Sequence, residues 1–399
     1  MLTVGQPIEL TVEKPAAGGR MIARHDGQVV LVAGAIPGER VIARVDRVQH
    51  RLAFATMTQI VEASPDRRGA FADPLCGGCI YSHISYPRQI ALKAEIVRDA
   101  FQRLGRIPLE APIDVAESPE RGYRMRARLH VDLGRAGFYR EGTHTLCDAA
   151  QTGQLSEVSL AAIGEALVAL EREDLHPTSI ELAENIAGDQ RALAIQRAGN
   201  WSGILGAESV ADPLEVLTRG RAREGELHRR PQSFFQANRY LLPALVTAVL
   251  DAVVADGPVI DLYAGVGLFS VALAATGRDA VIAVEGDRVS GADLQRNASP
   301  FGDRVTLALE SVEDYLTARS RDVATVVLDP PRTGVSAEAM AGLVKTRAPR
   351  LVYVSCDPAT LARDARRLLD AGYRLDALRG FDLFPNTSHV EALAEFRIL

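Results

Sequence analysis

Five short runs in the last third of the chain, Pro258–Leu262, Ala280–Glu285, Val305–Leu309, Val323–Leu328 and Leu351–Ser355, constrain the fold more than anything else in the sequence. They are continuously apolar rather than alternating, and helix-length segments separate them. That is the pattern of a parallel sheet buried on both faces. After a segment at 364–371 come Arg374–Phe384 and Ala392–Ile398, two β-rich runs with a short connection, which predict that the sheet ends in an antiparallel pair.

The rest of the chain reads differently. Short strands at Ile8–Val12, Gly27–Val32, Glu39–Val48 and Leu52–Ile60, punctuated by Gly18-Gly19, Gly34 and Pro37-Gly38, predict a small β-barrel. Ser64–Pro74 is a polar connector. Ile90, Ala94, Val97, Phe101 and Leu104 recur at steps of four and three, predicting a helix over Ser85–Leu104. A mixed stretch follows from Arg121 to Arg230, with alternating strands around Arg128–Val131 and a helix over Ser156–Glu171 that Ser156 is placed to cap. A chain of 399 residues exceeds what one core serves. Three domains are expected: 1–60, an OB-like barrel; 61–230, a central α+β domain; and 231–399, a Rossmann-like α/β domain.

With 47% apolar and 24% charged residues and a net charge of −6, the chain buries enough surface to exclude disorder. Its longest apolar stretches, such as Leu160–Leu170, are broken by charge before the roughly 20 residues of a membrane span. Met1–Leu10 lacks a basic region followed by an apolar run, so the cytoplasm is the expected location. Four cysteines cannot make a disulfide scaffold here and are instead metal or catalytic candidates. Arginines cluster at Arg121, Arg124, Arg126, Arg128, Arg135 and Arg140, and again at Arg219, Arg221, Arg223, Arg229, Arg230 and Arg239. Guanidinium forks suit phosphate oxygens, but alternation in Arg124–Arg128 equally suits a solvated strand.

Val259–Gly267 is a buried strand running into a glycine turn, and Glu285 ends the next strand twenty residues after Gly265, placed to accept from ribose hydroxyls. Ser270 stands where a dinucleotide fold has its third glycine. An Asp-x-x-x-Gly-x-Gly turn suits an S-adenosyl donor, which has no pyrophosphate, though a glycine turn also occurs in α/β folds without a ligand. Leu328-Asp-Pro-Pro-Arg-Thr-Gly334 leaves the fourth strand stiffly and holds Asp329 at the carboxyl edge, where such sheets bind ligands. Val352–Pro358 places Cys356 at the end of the fifth strand, where a thiol beside a nucleoside site can act as a nucleophile. Phe384–Glu391 puts His389 and Glu391 on the turn into the last strand, and either can serve as a base.

Together these residues suggest one reaction. A thiolate added at carbon 6 of a uracil makes carbon 5 nucleophilic toward a methyl sulfonium, and a base then removes the carbon 5 proton so the thiol can leave. The nucleotide must leave its stack to be reached.

On these motifs the sequence resembles, over nearly its whole length, the RNA 5-methyluridine methyltransferase family, S-adenosylmethionine-dependent enzymes acting on uracil in ribosomal or transfer RNA. Gly19–Gly27 and Val32–Glu39 look like the TRAM domain, a small RNA-binding barrel, and Ser233-Phe-Phe-Gln-Ala-Asn238 looks like the motif leading into the catalytic domain. The resemblance implies a class I S-adenosylmethionine-dependent methyltransferase sheet, cofactor or target contacts from Gln236, Tyr263, Glu285 and Asp329, Cys356 as nucleophile and Glu391 as proton acceptor. It implies that the Ser85–Leu104 helix packs on the catalytic domain, and it favours ribosomal over transfer RNA, with no obligate protein partner. Some members hold a [4Fe–4S] cluster on Cys-x5-Cys-x2-Cys and a distant fourth Cys. Cys76, Cys79 and Cys147 stand at those places, but the first position is Ala70. Either a cluster binds with a non-protein or oxygen ligand, with Asp73 and His83 as candidates, or the cluster has been lost; a bound cluster is the expectation, and a zinc site completed by His83 is the runner-up. A methyltransferase for another acceptor and a non-catalytic RNA-binding member are the competing functions.

Overall fold

A computed structural model describes residues 2–197, 200–318 and 322–399. The apolar runs form the strands Val259–Leu262, Val281–Val284, Val305–Ala308, Thr325–Leu328 and Arg350–Ser355. All are parallel, in the spatial order third, second, first, fourth, fifth. Within each strand alternate residues enter different cores. Val259, Val281, Val327 and Val352 pack with helices Leu242–Ala252 and Leu268–Ala275. Ile260, Ile282, Val326 and Leu351 pack with Ala337–Thr346 and Pro358–Asp370 on the other side. Burial on both faces is why these strands read as unbroken apolar runs. Glu391–Ile398 then runs antiparallel to the fifth strand, and Tyr373–Phe381 antiparallel to it.

The outermost strand of this sheet comes from far earlier in the chain: Val115–Ala116 pairs in parallel with Gly380 and Phe381. The helix Tyr86–Ala100 is part of the same body, with Val97, Ala100 and Phe101 in the core beneath the fifth strand. Its last turn, Phe101–Gly105, is π-helical. Gly105 lies so close to the helix Pro358–Asp370 that a Cβ there would sit 2.9 Å from the Ala362 carbonyl oxygen. The wider turn breaks the expected periodicity, and Leu104 faces solvent at 58% exposure instead of joining the core.

Five strands, Pro7–Pro15, Met21–His25, Gln28–Ala33, Arg40–Gln49 and Leu52–Glu62, close the N-terminal barrel. Met21–His25 is additional to the four strands expected; only Met21 and Ala23 point inward, too little signal to mark a strand. The barrel core extends outward through Tyr81, Ile84 and Leu92. Buried Glu39 takes both oxygens to the Arg67 guanidinium at 2.5 and 2.6 Å, clamping the connector to the barrel.

The central region is a six-stranded antiparallel sheet, in the order Asn200–Gly206, Arg191–Arg197, Ser179–Glu184, Arg126–Asp132, Arg135–Tyr139, Leu146–Asp148. Helix Glu157–Arg172 covers one face, and Ser156 caps it by accepting from the Ser159 amide at 3.1 Å. Among the described residues no helix is long and apolar enough to cross a membrane.

One buried ion pair joins the early helix to the last loop. Lys93 and Asp382 are both fully buried and hydrogen-bonded to each other, and the Lys93 ammonium also donates to the Phe384 carbonyl at 3.0 Å. Replacing Lys93 by methionine strands the Asp382 charge in the core, and urea unfolding is expected to register a loss of about 3–5 kcal/mol. Adding Asp382→Asn should recover much of that loss; no recovery would mean the pair contributes by packing alone.

Candidate active site

The chain reverses direction across the sheet between Val259–Leu262 and Thr325–Leu328, and the loops leaving these strands diverge into a crevice. Leu262 and Leu328 are register partners, so Tyr263 and Asp329 leave the sheet side by side. Gln236, buried, donates from Nε2 to Asp329 Oδ2 at 3.0 Å. Burial nonetheless pushes the Asp329 carboxyl up to about 7, with the Gln236 hydrogen bond opposing. Glu285 is fixed by two backbone amides, Gly265 to Oε2 at 2.7 Å and Asp287 to Oε1 at 2.6 Å. Its remaining lone pairs are free for ligand hydroxyls.

The turn between them explains its glycines. Gly267, at φ 94°, has no room for a side chain, since a Cβ would lie 2.8 Å from Leu294 Cδ1. Gly265, at φ 58°, has open space there, so its backbone faces the crevice bare. Tyr263 also sits at positive φ, 61°, a conformation costing about 1–3 kcal/mol and held by packing of its ring on the core beneath the sheet. In the strand below, Asp261 accepts from the Ser270 amide at 2.9 Å, and burial pushes its carboxyl up to about 7.

The antiparallel pairing of the fifth strand with the last one builds the second half of the site. Ser355 is the register partner of Ala392, so the next residue of one strand, Cys356, emerges opposite the preceding residue of the other, Glu391. Burial, then the charges of Glu391 and Asp329, push the Cys356 thiol up to about 12, while a hydrogen bond from the Arg332 guanidinium acts in the other direction. Glu391, 2% exposed, is raised well above the usual carboxylate range by burial and by Asp329, and its Oε1 has no hydrogen-bond partner. Burial also takes the His389 imidazole down to about 4, with Arg332, Lys93 and Arg124 adding to the shift. The resting thiol is therefore neutral, in a pocket of desolvated acids whose ionised forms await a positive charge. An S-adenosyl sulfonium suits that electrostatics, and Gly265 and Glu285 suit its nucleoside.

Five of the six expected residues thus stand at strand ends along the carboxyl edge of the sheet, and Gln236 joins them through Asp329; Tyr263 also lines a hollow with Pro331, Val335 and Arg363. Arg332 belongs with them although no role was read for it; it is the fourth residue of the Asp-Pro-Pro-Arg turn. The barrel also reaches the nucleophile. A cavity of about 220 Å³ adjoins Cys356 and is walled by Pro15, Ala17 and Gly18 of the barrel, with Ile96, Ser388 and His389 opposite. The second arginine tract is largely spent on internal pairs: Arg221 with Asp251 at 2.7 Å, Arg230 with Asp293 at 2.9 Å, Arg229 with Asp212 and Arg239 with Glu184.

The metal expectation finds no support in the arrangement of the described residues. Cys76, Cys79 and Cys147 do pack together in a small buried cluster. Yet among the described residues no group of three His, Cys, Asp or Glu side chains is arranged to hold a metal ion. Asp73 is bound to Arg140 at 2.7 Å, and His83 Nε2 contacts the Ala35 carbonyl of the barrel at 3.3 Å, so neither completes a set. Hydrogen bonds organise this segment instead: Gln154 Nε2 donates to the Gly78 carbonyl at 2.7 Å, and the Gly77 amide to the Tyr139 carbonyl at 3.2 Å. The residues present do not fit a four-ligand cluster or a zinc site.

Two measurements follow. Iodoacetamide is expected to label Cys356 slowly at pH 8 and faster as pH climbs toward 12; Glu391→Gln speeds labelling at a given pH and Arg332→Ala slows it. Site-resolved mass spectrometry reads these rates, and a plateau below pH 9 would contradict the assigned environment. Elemental analysis of the purified protein is expected to find well under one iron per chain, whereas about four would restore the cluster.

Residues 177–394 match the family model described as tRNA (Uracil-5-)-methyltransferase, and residues 2–58 match the TRAM domain. An uncharacterized RNA methyltransferase of Streptomyces coelicolor is 35% identical over 98% of this chain and 93% of its own. The 23S rRNA (uracil(1939)-C(5))-methyltransferase of Pseudomonas putida is 33% identical over 98% of this chain and 94% of its own. The crystal structure of Pyrococcus abyssi tRNA (uracil-54, C5)-methyltransferase with S-adenosyl-L-homocysteine superposes with a TM-score of 0.77, at 24% identity, over 97% of this chain and 99% of that one. The chain therefore belongs to the tRNA (uracil-5-)-methyltransferase family, with a TRAM domain at its N-terminal side.

Proposed function

We propose that the chain methylates carbon 5 of a uridine in RNA, with 23S ribosomal RNA as the substrate. The observation that carries this is Cys356 emerging opposite Glu391 at the edge of a crevice that also holds Asp329, Gln236 and Glu285. Gly265, Glu285 and Tyr263 would hold S-adenosylmethionine, which supplies a methyl group on a positively charged sulfur. Cys356 gives its proton to water and the Sγ thiolate bonds to carbon 6. The displaced pair of the carbon 5–carbon 6 double bond makes carbon 5 the nucleophile that takes the methyl, whose bond to sulfur breaks with its electrons left on the departing neutral thioether. Glu391 then accepts the carbon 5 proton, and the Sγ–carbon 6 bond breaks with its electrons returning to sulfur. Arg332 favours the thiolate at the start and end of this sequence. The cytoplasm is the location this reading carries for the activity.

The choice of ribosomal RNA rests on the naming of relatives such as that of Pseudomonas putida. Transfer RNA is the second reading, favoured by the description of the family model. Mapping 5-methyluridine in both RNAs from a deletion strain decides between them.

The two catalytic roles separate by product. Cys356→Ala should abolish both methylation and capture of 5-fluorouracil RNA. Glu391→Gln should lower turnover by about 10²–10⁴-fold while still forming the adduct, so that ordinary uridine RNA accumulates covalently on the protein, visible as a shifted band on denaturing gels. A Cys356→Ala protein that still methylates would point to an acceptor other than carbon 5.

A further inference from the structure

We infer that the part of the central sheet formed by the strands Arg126–Asp132 and Arg135–Tyr139, on the side turned away from helix Glu157–Arg172, is a platform for an unstacked base of the substrate RNA, built on Tyr139 and His130 and flanked by Arg126 and Arg128. This rests on the RNA reading above. In the strand Arg126–Asp132, Ala127 and Leu129 are buried beneath helix Glu157–Arg172. Strand residues alternate in direction, so Arg126, Arg128 and His130 face the other way.

The ladder then sets which rings meet. His130 is opposite Gly137 on one neighbouring strand and Ser179 on the other, so Tyr139, two residues beyond Gly137, lies beside Arg128 and diagonal to His130. Gly137 contributes no side chain, and none would fit, because a Cβ there would be 1.9 Å from the Cys147 carbonyl oxygen. Its absence lets the His130 ring lie flat on Tyr139, with centroids 3.7 Å apart and an interplanar angle of 11°. His144 closes the group edge-on to Tyr139, at 5.3 Å and 85°.

Charge and continuity say what this surface receives. The Arg128 side chain is 55% exposed, and the opposing Glu181, its register partner, is only 9% exposed and shifted by burial toward its neutral form. Arg126 donates to the Ser233 carbonyl at 3.1 Å and stacks over the Phe234 ring at 5.4 Å. Phe234 is 59% exposed and only two residues from Gln236, whose amide holds Asp329. Aromatic rings and arginines thus run as one strip from the crevice onto the sheet. Single-stranded RNA is the ligand with flat bases for such rings and phosphates for such cations. A nucleotide flanking the target uridine, splayed out when that uridine enters the crevice, would lie along it.

The test compares two RNAs on the full-length protein: a stem-loop carrying the target with its flanks, and an oligonucleotide too short to leave the crevice. For the stem-loop, Tyr139→Ala should raise KM about 5- to 100-fold with kcat within about two-fold, and Tyr139→Phe should restore it, as stacking requires. Arg128→Ala should lower the slope of log KM against log salt by about one. The short oligonucleotide should be indifferent to all three changes. An equal effect on both RNAs, or failure of Tyr139→Phe to rescue, would overturn the platform in favour of a structural role. No change on either RNA would overturn it too and leave the face to a protein partner. If the unaltered protein neither methylates nor captures any RNA, the methylation reading falls instead, while the platform is still judged by Tyr139-dependent retention of the stem-loop on filters.

Discussion

The pairing of the fifth strand with the last one is the constraint on which the rest of the site depends. Because Ser355 and Ala392 face each other, the sulfur of Cys356 and the carboxyl of Glu391 are neighbours although they are far apart in sequence. A slip of one residue would turn every side chain of Glu391–Ile398 to the wrong face of a sheet that is buried on both. The turn that delivers Glu391 is anchored with corresponding care. Asn238 donates to the Leu383 carbonyl at 3.2 Å, Gln89 accepts from the Asn386 amide at 2.8 Å, and Arg68 donates to the Asn386 side chain at 2.8 Å. Three distant segments thus converge on one loop.

The electrostatics follow from that packing. Asp329, Glu391 and Cys356 are drawn out of water together: burial raises all three, the Asp329 charge adds to the shift of Glu391, and the charges of Glu391 and Asp329 add to that of Cys356. Such a cluster is unfavourable in the empty protein. It becomes favourable when a cation arrives, and Arg332 alone supplies only part of that charge. The site is therefore poised to discriminate a positively charged sulfur from the neutral thioether left after its methyl has gone, which aids release of the spent donor.

Much of this was legible in the sequence, and for local reasons. Apolar strands buried on two faces, a glycine turn and a strand-end cysteine are written in consecutive residues. The features that were not legible depend on long-range contacts. The exposure of Leu104 follows from the close approach of Gly105 to another helix. The two arginine tracts look alike on paper, yet Arg229 is buried on Asp212 while Arg128 reaches solvent, and only the sheet register separates them. The three cysteines suggest a metal by spacing. Whether a fourth ligand completes them depends on where Asp73 and His83 point, and each is engaged elsewhere.

The edge strand Val115–Ala116 carries an implication for how the molecule is made. It is synthesised long before the strand it pairs with, Tyr373–Phe381. The helix Tyr86–Ala100 leans on the barrel through Leu92, while its Val97 and Ala100 wait for the later strands and helices of the sheet. The nascent chain must therefore carry this segment unfinished until the hairpin of Tyr373–Phe381 and Glu391–Ile398 arrives and the sheet closes. A fragment beginning after residue 230 would lack a strand of its own sheet.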